Sequence, residues 1–389
     1  MSRRGLRPRA VLLGLILAAL ACGEAQATTY APVDAPGPPL SVPARLLQQA
    51  LTCTASVADA GRAPILLVPG TTLNPTEFSW NWERALAAQN WPYCTIDLPG
   101  NGMADIQTAG EYVVYAIRTM YHLAGRRIDI VGHSQGGMVP RWALRFWPDT
   151  RAMVDDLVGL SPSNHGTIDA SAVCLPGCAP SIWQQRPDAA FIAALNSYQE
   201  TFPGISYTDI YTHTDEVVVP NLTSSGSSSL HGGGGAITNV AIQQVCPVDV
   251  SEHLGVGTYD NTAYAIAMDA LTHPGPADPA RVSSSVCLDP LMPGVDPLTF
   301  ATDFAQMGAV VATTLATYPH VSAEPPLACY VTASCSEAHR QPDSHRRPGS
   351  RRRLASRRRP GSRRRPDSRR RLASRRRLDS SGAKRHSRK

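Results

Sequence analysis

RRIDIVGHSQGGMVPRWALRFW, Arg126 to Trp147, is the stretch whose reading decides the fold. Ile128 to Val131 reads as a short apolar strand, the following glycines mark a tight turn, and the remainder has the spacing of an amphipathic helix. At the apex stands Gly132-His133-Ser134-Gln135-Gly136, a G-x-S-x-G sequence. A strand-to-helix turn of this kind strains the serine backbone and projects its hydroxyl from the top of a sheet. Its glycines are needed because a side chain there would strike the neighbouring strand and helix. The bare pentapeptide is a weak signal; its setting makes Ser134 the candidate nucleophile.

Working outward, Ala63 to Pro69 is a continuous apolar run that suits a buried central strand and feeds the loop Gly70-Thr71-Thr72. Tyr93 to Leu98, Val154 to Leu160, Ile205 to Tyr211 and Ile237 to Val245 read as further strands. Helices are expected over Arg45 to Leu51, Trp80 to Gln89, Glu111 to Ala124, Ala189 to Tyr198, Asn261 to Leu271 and Leu298 to Tyr318. The last is apolar on most sides and is expected to be largely buried or to line a pocket. Strands alternating with helices predict an α/β fold whose mostly parallel central sheet is covered on both faces. Ser161 to Gln199 breaks this rhythm and is expected to form a small cap over the pocket.

A serine hydroxyl needs a histidine base, and that histidine needs a carboxylate to orient it. In a fold of this class the chain order is Ser, then Asp or Glu, then His. Asp215 directly follows the Ile205 to Tyr211 strand and fits the acid, with Glu216 and Asp209 as weaker candidates. The histidines beyond it are His231, His253, His273, His320 and His339; His253 sits at a plausible strand-end loop, and spacing alone leaves the choice open. His231-Gly232-Gly233-Gly234 looks like an oxyanion loop but comes after both Ser134 and Asp215, so a surface loop is the better reading. The oxyanion donors are expected to be the backbone N–H of Gln135 and a group near Thr71, whose hydroxyl can add a further donor.

The ends of the chain are of another kind. Arg3, Arg4, Arg7 and Arg9 precede an apolar run from Ala10 to Ala21, too short to span a bilayer, and Ala25-Gln26-Ala27 has the pattern of a signal peptidase site. Export with cleavage near Ala27 is expected, by a general or a twin-arginine route; lipid anchoring at Cys22 is the less favoured alternative. Thr28 to Leu40 reads as an extended lead-in, and a catalytic domain is expected over residues 45–339. From Thr28 to His339 there are 11 Arg, no Lys and 27 Asp plus Glu, a balance of −16. From Arg340 onward 22 basic residues face 3 acidic ones, a balance of +19. From Ser350 the motif Ser-Arg-Arg-Arg-x-x recurs every six residues. Such a composition cannot build a core, so a disordered tail is expected, with electrostatic contact to anionic surfaces as its functional reading. It has no interleaved aromatics to stack on bases, and no specific nucleic-acid recognition is expected.

Loss of Cys22 with the signal leaves eight cysteines, an even number that suggests disulfides in an exported chain. Cys174 and Cys178 enclose a Pro-Gly turn, and Cys329 and Cys335 are also close in sequence. Cys53, Cys94, Cys246 and Cys287 would then remain, with three possible pairings. No C-x2-C pair faces a second one, which disfavours zinc.

Six separated segments, in order, resemble the Candida antarctica lipase B-like family of α/β-hydrolase lipases and its bacterial relatives. They are LLVPGTT (Leu66 to Thr72), SWNW (Ser79 to Trp82), SQGG around Ser134, PSIWQQ (Pro180 to Gln185), YTHTDEVVVP (Tyr211 to Pro220) and VCPVDVSEHLG (Val245 to Gly255). The likeness covers roughly Leu46 to Cys335. It implies an α/β-hydrolase fold, a triad of Ser134, Asp215 and His253, and an oxyanion hole of Thr71 and Gln135. It also implies disulfides Cys53–Cys94 and Cys246–Cys287 with a C-terminal Cys329–Cys335 pair. Gln185 is expected at the substrate pocket. Two departures stand out: the family's best-known member has threonine and tryptophan at Gly132 and His133, and an acyl-pocket aspartate at Ser163. His133 is therefore expected to leave the alcohol side roomier or more polar. The expected activity is that of a secreted, monomeric serine carboxylic-ester hydrolase, a lipase acting on acylglycerols or similar lipid esters without metal or cofactor. A polyesterase or acyltransferase with the same triad, and a polyanion-binding protein with a vestigial hydrolase body, are the alternatives.

Overall fold

The computed structural model describes residues 28–334, with the exception of Pro176. The expected signal peptide with Cys22, the Cys335 end of the C-terminal disulfide and the arginine repeat lie outside these residues. Seven strands form one sheet: β1 Leu51–Cys53, β2 Ile65–Val68, β3 Tyr93–Ile96, β4 Ile128–His133, β5 Val154–Leu160, β6 Ser206–Tyr211 and β7 Ala236–Ala241. Their order across the sheet is β1-β3-β2-β4-β5-β6-β7, with only β1 antiparallel to its neighbour. The helices are α1 Ala44–Ala50, α2 Trp82–Ala88, α3 Ile106–Ala124, α4 Gln135–Phe146 and α5 Ile168–Val173. They continue with α6 Pro180–Gln184, α7 Ala190–Leu195, α8 His253–Thr258, α9 Asn261–Thr272 and α10 Phe300–Thr317.

The unbroken apolar run of β2 is explained by burial on both sides. Leu66 and Val68 join a core with α3, α4 and α7, whereas Ile65 and Leu67 point into a second core with α2 and α9. α3 begins five residues before the expected Glu111, because Asp105 accepts the N–H of Gln107 as its N-cap. Within this added first part, Gly110 serves packing, since a Cβ there would enter the ring of Trp142 on α4. The short edge strand β1 was not expected; it places Cys53 directly opposite Cys94, and the two are disulfide-bonded. β7 stops at Ala241 rather than Val245, because the Gln244 side chain takes the Ala241 N–H and turns the chain toward the Cys246–Cys287 disulfide.

α10 meets the second of its two expectations: it is mostly not buried, and its Val311 and Leu315 line a pocket. Only Met307 and Thr314 are buried along it, so it is not a core helix. Phe300, Phe304 and Val311 form a narrow stripe toward the second core, while the small apolar residues on its other side face outward. α5 and α6 form the cap segment after β5, and the Cys174–Cys178 disulfide closes the turn between them.

Candidate active site

Ser134 stands between β4 and α4 with φ 55° and ψ −124°, the strained conformation anticipated for the turn. Both flanking glycines are obligatory on contact grounds: a Cβ at Gly132 would overlap the Gly136 carbonyl, and one at Gly136 would overlap the Val68 carbonyl of β2. The backbone N–H of Ser134 donates to the Leu160 carbonyl at 2.8 Å, tying the turn to β5.

Asp215 lies just after β6, in the loop position expected for it. Its Oδ1 accepts the N–H groups of Val217 at 3.0 Å and Val218 at 2.7 Å. Nδ1 of His253 lies 3.0 Å from Oδ1 and 3.1 Å from Oδ2. Burial works to raise the Asp215 pKa, but the His253 ring and the two amides outweigh it, and the carboxyl is held below its ordinary value. Glu216 instead accepts the backbone N–H of His253 at 3.2 Å. Asp209 is fully buried within β6, its Oδ1 against the Cα of Gly159, and burial pushes it up to about 8. The remaining histidines are occupied elsewhere: His273 with Asp269, and His231 with the ring of His165. His320 is exposed, and His339 lies outside the described residues.

A cavity of about 310 Å³ opens between sheet and cap, with Ser134, His253, Thr71 and Gln185 on its walls and Val311 and Leu315 of α10 along one side. Thr71 Oγ1 accepts two side-chain N–H groups, from Gln135 and Gln185, each at 3.0 Å. With both lone pairs engaged, the hydroxyl hydrogen remains to be donated. Ser163 is fully buried behind Gln185 and donates to its Oε1 at 2.8 Å.

His133 borders the cavity with no exposed surface. Its Nδ1 meets Glu77 Oε1 at 2.5 Å and its Nε2 faces the backbone carbonyl of His253 at 3.1 Å, with the two imidazole rings 4.8 Å apart. Burial works to lower its pKa, yet Glu77 and that carbonyl outweigh it and the net shift is upward. Both nitrogens are thus engaged, and the residue offers no free polar group to the cavity. Glu77 is not among the residues the sequence singled out; it closes a short 3-10 turn, Pro75–Glu77, capped by Asn74. Its other oxygen accepts the N–H of Gly70, so one buried carboxylate joins the Thr71 loop, the serine turn and the His253 segment.

Residues 112–253 match the family described as Lipase (class 2). Lipase B of Pseudozyma antarctica is 35% identical over 240 residues, which is 60% of this chain and 69% of that protein. The crystal structure of Aspergillus fumigatus lipase B aligns with a TM-score of 0.71 at 32% identity, covering 77% of this chain and 74% of that chain.

Proposed function

The chain belongs to the lipase B family of α/β-hydrolases and is a carboxylic ester hydrolase, and from that premise we propose that it cleaves lipid esters through an acyl-enzyme on Ser134. Ser134 attacks the ester carbonyl while Nε2 of His253 takes its proton and later delivers it to the leaving alcohol. Asp215 holds Nδ1–H and stabilises the imidazolium that forms. The oxyanion is held by the Thr71 hydroxyl and the backbone N–H of Gln135. Water then repeats the sequence to release the acid. The observation that carries this reading is the Asp215 carboxylate on Nδ1 of a histidine that shares a cavity with Ser134.

The substrate class proposed is acylglycerols or similar lipid esters. Val311, Leu315, Ile182 and Leu254 give the cavity apolar walls suited to an acyl chain. Three disulfides among the described residues fit the oxidising compartment of an exported protein, as does the proposed cleavage near Ala27 before a catalytic domain over residues 45–339. Hydrolysis of p-nitrophenyl esters of rising chain length, emulsified triacylglycerol and a polyester film separates the readings. Medium to long acyl esters and the emulsion are expected to be the better substrates. Preference for the film, or acyl transfer to added alcohol faster than hydrolysis, would replace lipase by polyesterase or acyltransferase.

Thr71→Val tests the oxyanion assignment. Valine keeps the shape and the backbone N–H but removes the hydroxyl, and kcat is expected to fall on the order of 100-fold with KM nearly unchanged. A fall below about threefold would remove the hydroxyl from the mechanism.

A further inference from the structure

At the N-terminal ends of two central strands, the end of the sheet opposite Ser134, three carboxylates converge. Asp129 is the second residue of β4; Asp155 and Asp156 are the second and third of β5. One oxygen from each lies within 4.8 Å of the others. An irregularity in the β4–β5 register between Ile128 and Ile130 falls at Asp129. Asp129 is only 3% exposed, and its Oδ1 has no hydrogen-bond partner; neither has Oδ1 of Asp156. Both residues line a hollow of about 410 Å³ whose wall also carries Ser206 and Thr272.

Cationic help is limited here. Arg127 pairs with Asp155 at 2.9 Å, but that pair is half-exposed and the guanidinium is also bound to the carbonyls of Val154 and Gly204. Asp129 accepts the backbone N–H of Asp156, and Asp156 accepts the hydroxyl of Ser206, but the second oxygen of each is buried without a partner, a cost that a cation or a proton would relieve.

We propose that Asp129, Asp155 and Asp156 bind a divalent calcium ion that clasps β4 to β5. Oxygens around an ion at 2.3–2.6 Å are separated by at most about 5 Å, which the cluster satisfies. The donors are all hard oxygens, which favours calcium over zinc or copper. The irregular, open setting suits calcium's flexible coordination better than the strict octahedron of magnesium. The ion sits roughly 17 Å from Ser134, five residues along β4, and takes no part in ester cleavage. It stabilises the pair of strands that carries the serine turn.

The test uses the full-length protein stripped with chelator, then titrated with calcium or magnesium by calorimetry and thermal unfolding. Saturable calcium binding and a Tm rise of about 3 °C or more at millimolar calcium are expected, with a weaker magnesium response. Asp129→Asn and, as a more exposed alternative, Asp155→Asn should lose that response while keeping chelator-resistant ester hydrolysis. No saturable binding by the wild-type protein would overturn the proposal, as would an undiminished calcium response in both variants. An Asp129→Asn protein that gains stability at neutral pH, with the wild type indifferent to calcium, would mean that the cluster shares a proton instead.

Discussion

Ser134→Ala is expected to lower kcat on p-nitrophenyl esters by at least about 10⁴-fold, leaving only the residual rate that binding and the oxyanion donors provide. The variant isolates chemistry cleanly. Serine and alanine both carry a Cβ, so the strained φ of 55° costs each of them about the same and no new collision arises with Gly132 or Gly136. Tm should stay within about 2 °C of the wild type, with the circular dichroism spectrum unchanged. Ester hydrolysis within tenfold of the wild type by the folded variant would exclude an acyl-enzyme on Ser134.

Asp215→Asn should cost roughly 10³- to 10⁴-fold in kcat, with little change in KM. The N–H groups of Val217 and Val218 both point at Oδ1, so they select the carbonyl oxygen of asparagine for that position. The amide nitrogen is then left at the Oδ2 position, 3.1 Å from Nδ1 of His253 and 3.4 Å from the Nδ2 of Asn221, so of the two oxygens that Nδ1 meets only the one at 3.0 Å is kept. A donor there opposes the Nδ1–H tautomer that leaves Nε2 free to act as base. The pH dependence of stability follows from the same carboxylate. Its folded pKa lies below its unfolded value, so its contribution is fully present above the unfolded pKa of about 4 and is lost as pH falls through the folded one. The Tm difference between wild type and Asp215→Asn should therefore be steady near neutrality and shrink below about pH 4. A variant with near wild-type kcat, or a difference that widens in acid, would remove Asp215 from its role.

Much of the architecture was legible because its signals are local. The serine turn combines two contact-forced glycines with an apolar strand before it and a helix after it, all within 22 residues. The continuous apolar run of β2 implied a buried central strand, the alternation of strands with helices implied a sheet covered on both faces, and Val154–Leu160 is a strand over the expected residues. Errors arose where a long-range contact overrides a local pattern. The helix expected from Glu111 starts at Ile106 because its first turns are fixed by the Asp105 cap and by Trp142 packing on Gly110, and three-residue β1 is too short to leave a pattern of its own. For α10, apolar on most sides, the sequence left burial and pocket lining both open; the fold packs one stripe of it and sets Val311 and Leu315 on the cavity wall.

The sequence by itself determined the order of the parts: a serine at a strand-to-helix turn, a carboxylate after a later strand, and a choice of histidines beyond it. Spacing did not choose among those histidines, since hydrogen bonding to Asp215 depends on where loops 38 residues apart in the chain converge. Tertiary structure alone decided the surroundings of the site. It turned His133 inward onto Glu77 and the His253 carbonyl, 56 and 120 residues away, and it gathered Asp129, Asp155 and Asp156 at the N-terminal ends of the central strands β4 and β5. The physical reason is the same in both cases. A turn or a strand is specified by neighbours along the chain, but a buried charge is specified by the partners that folding brings to it.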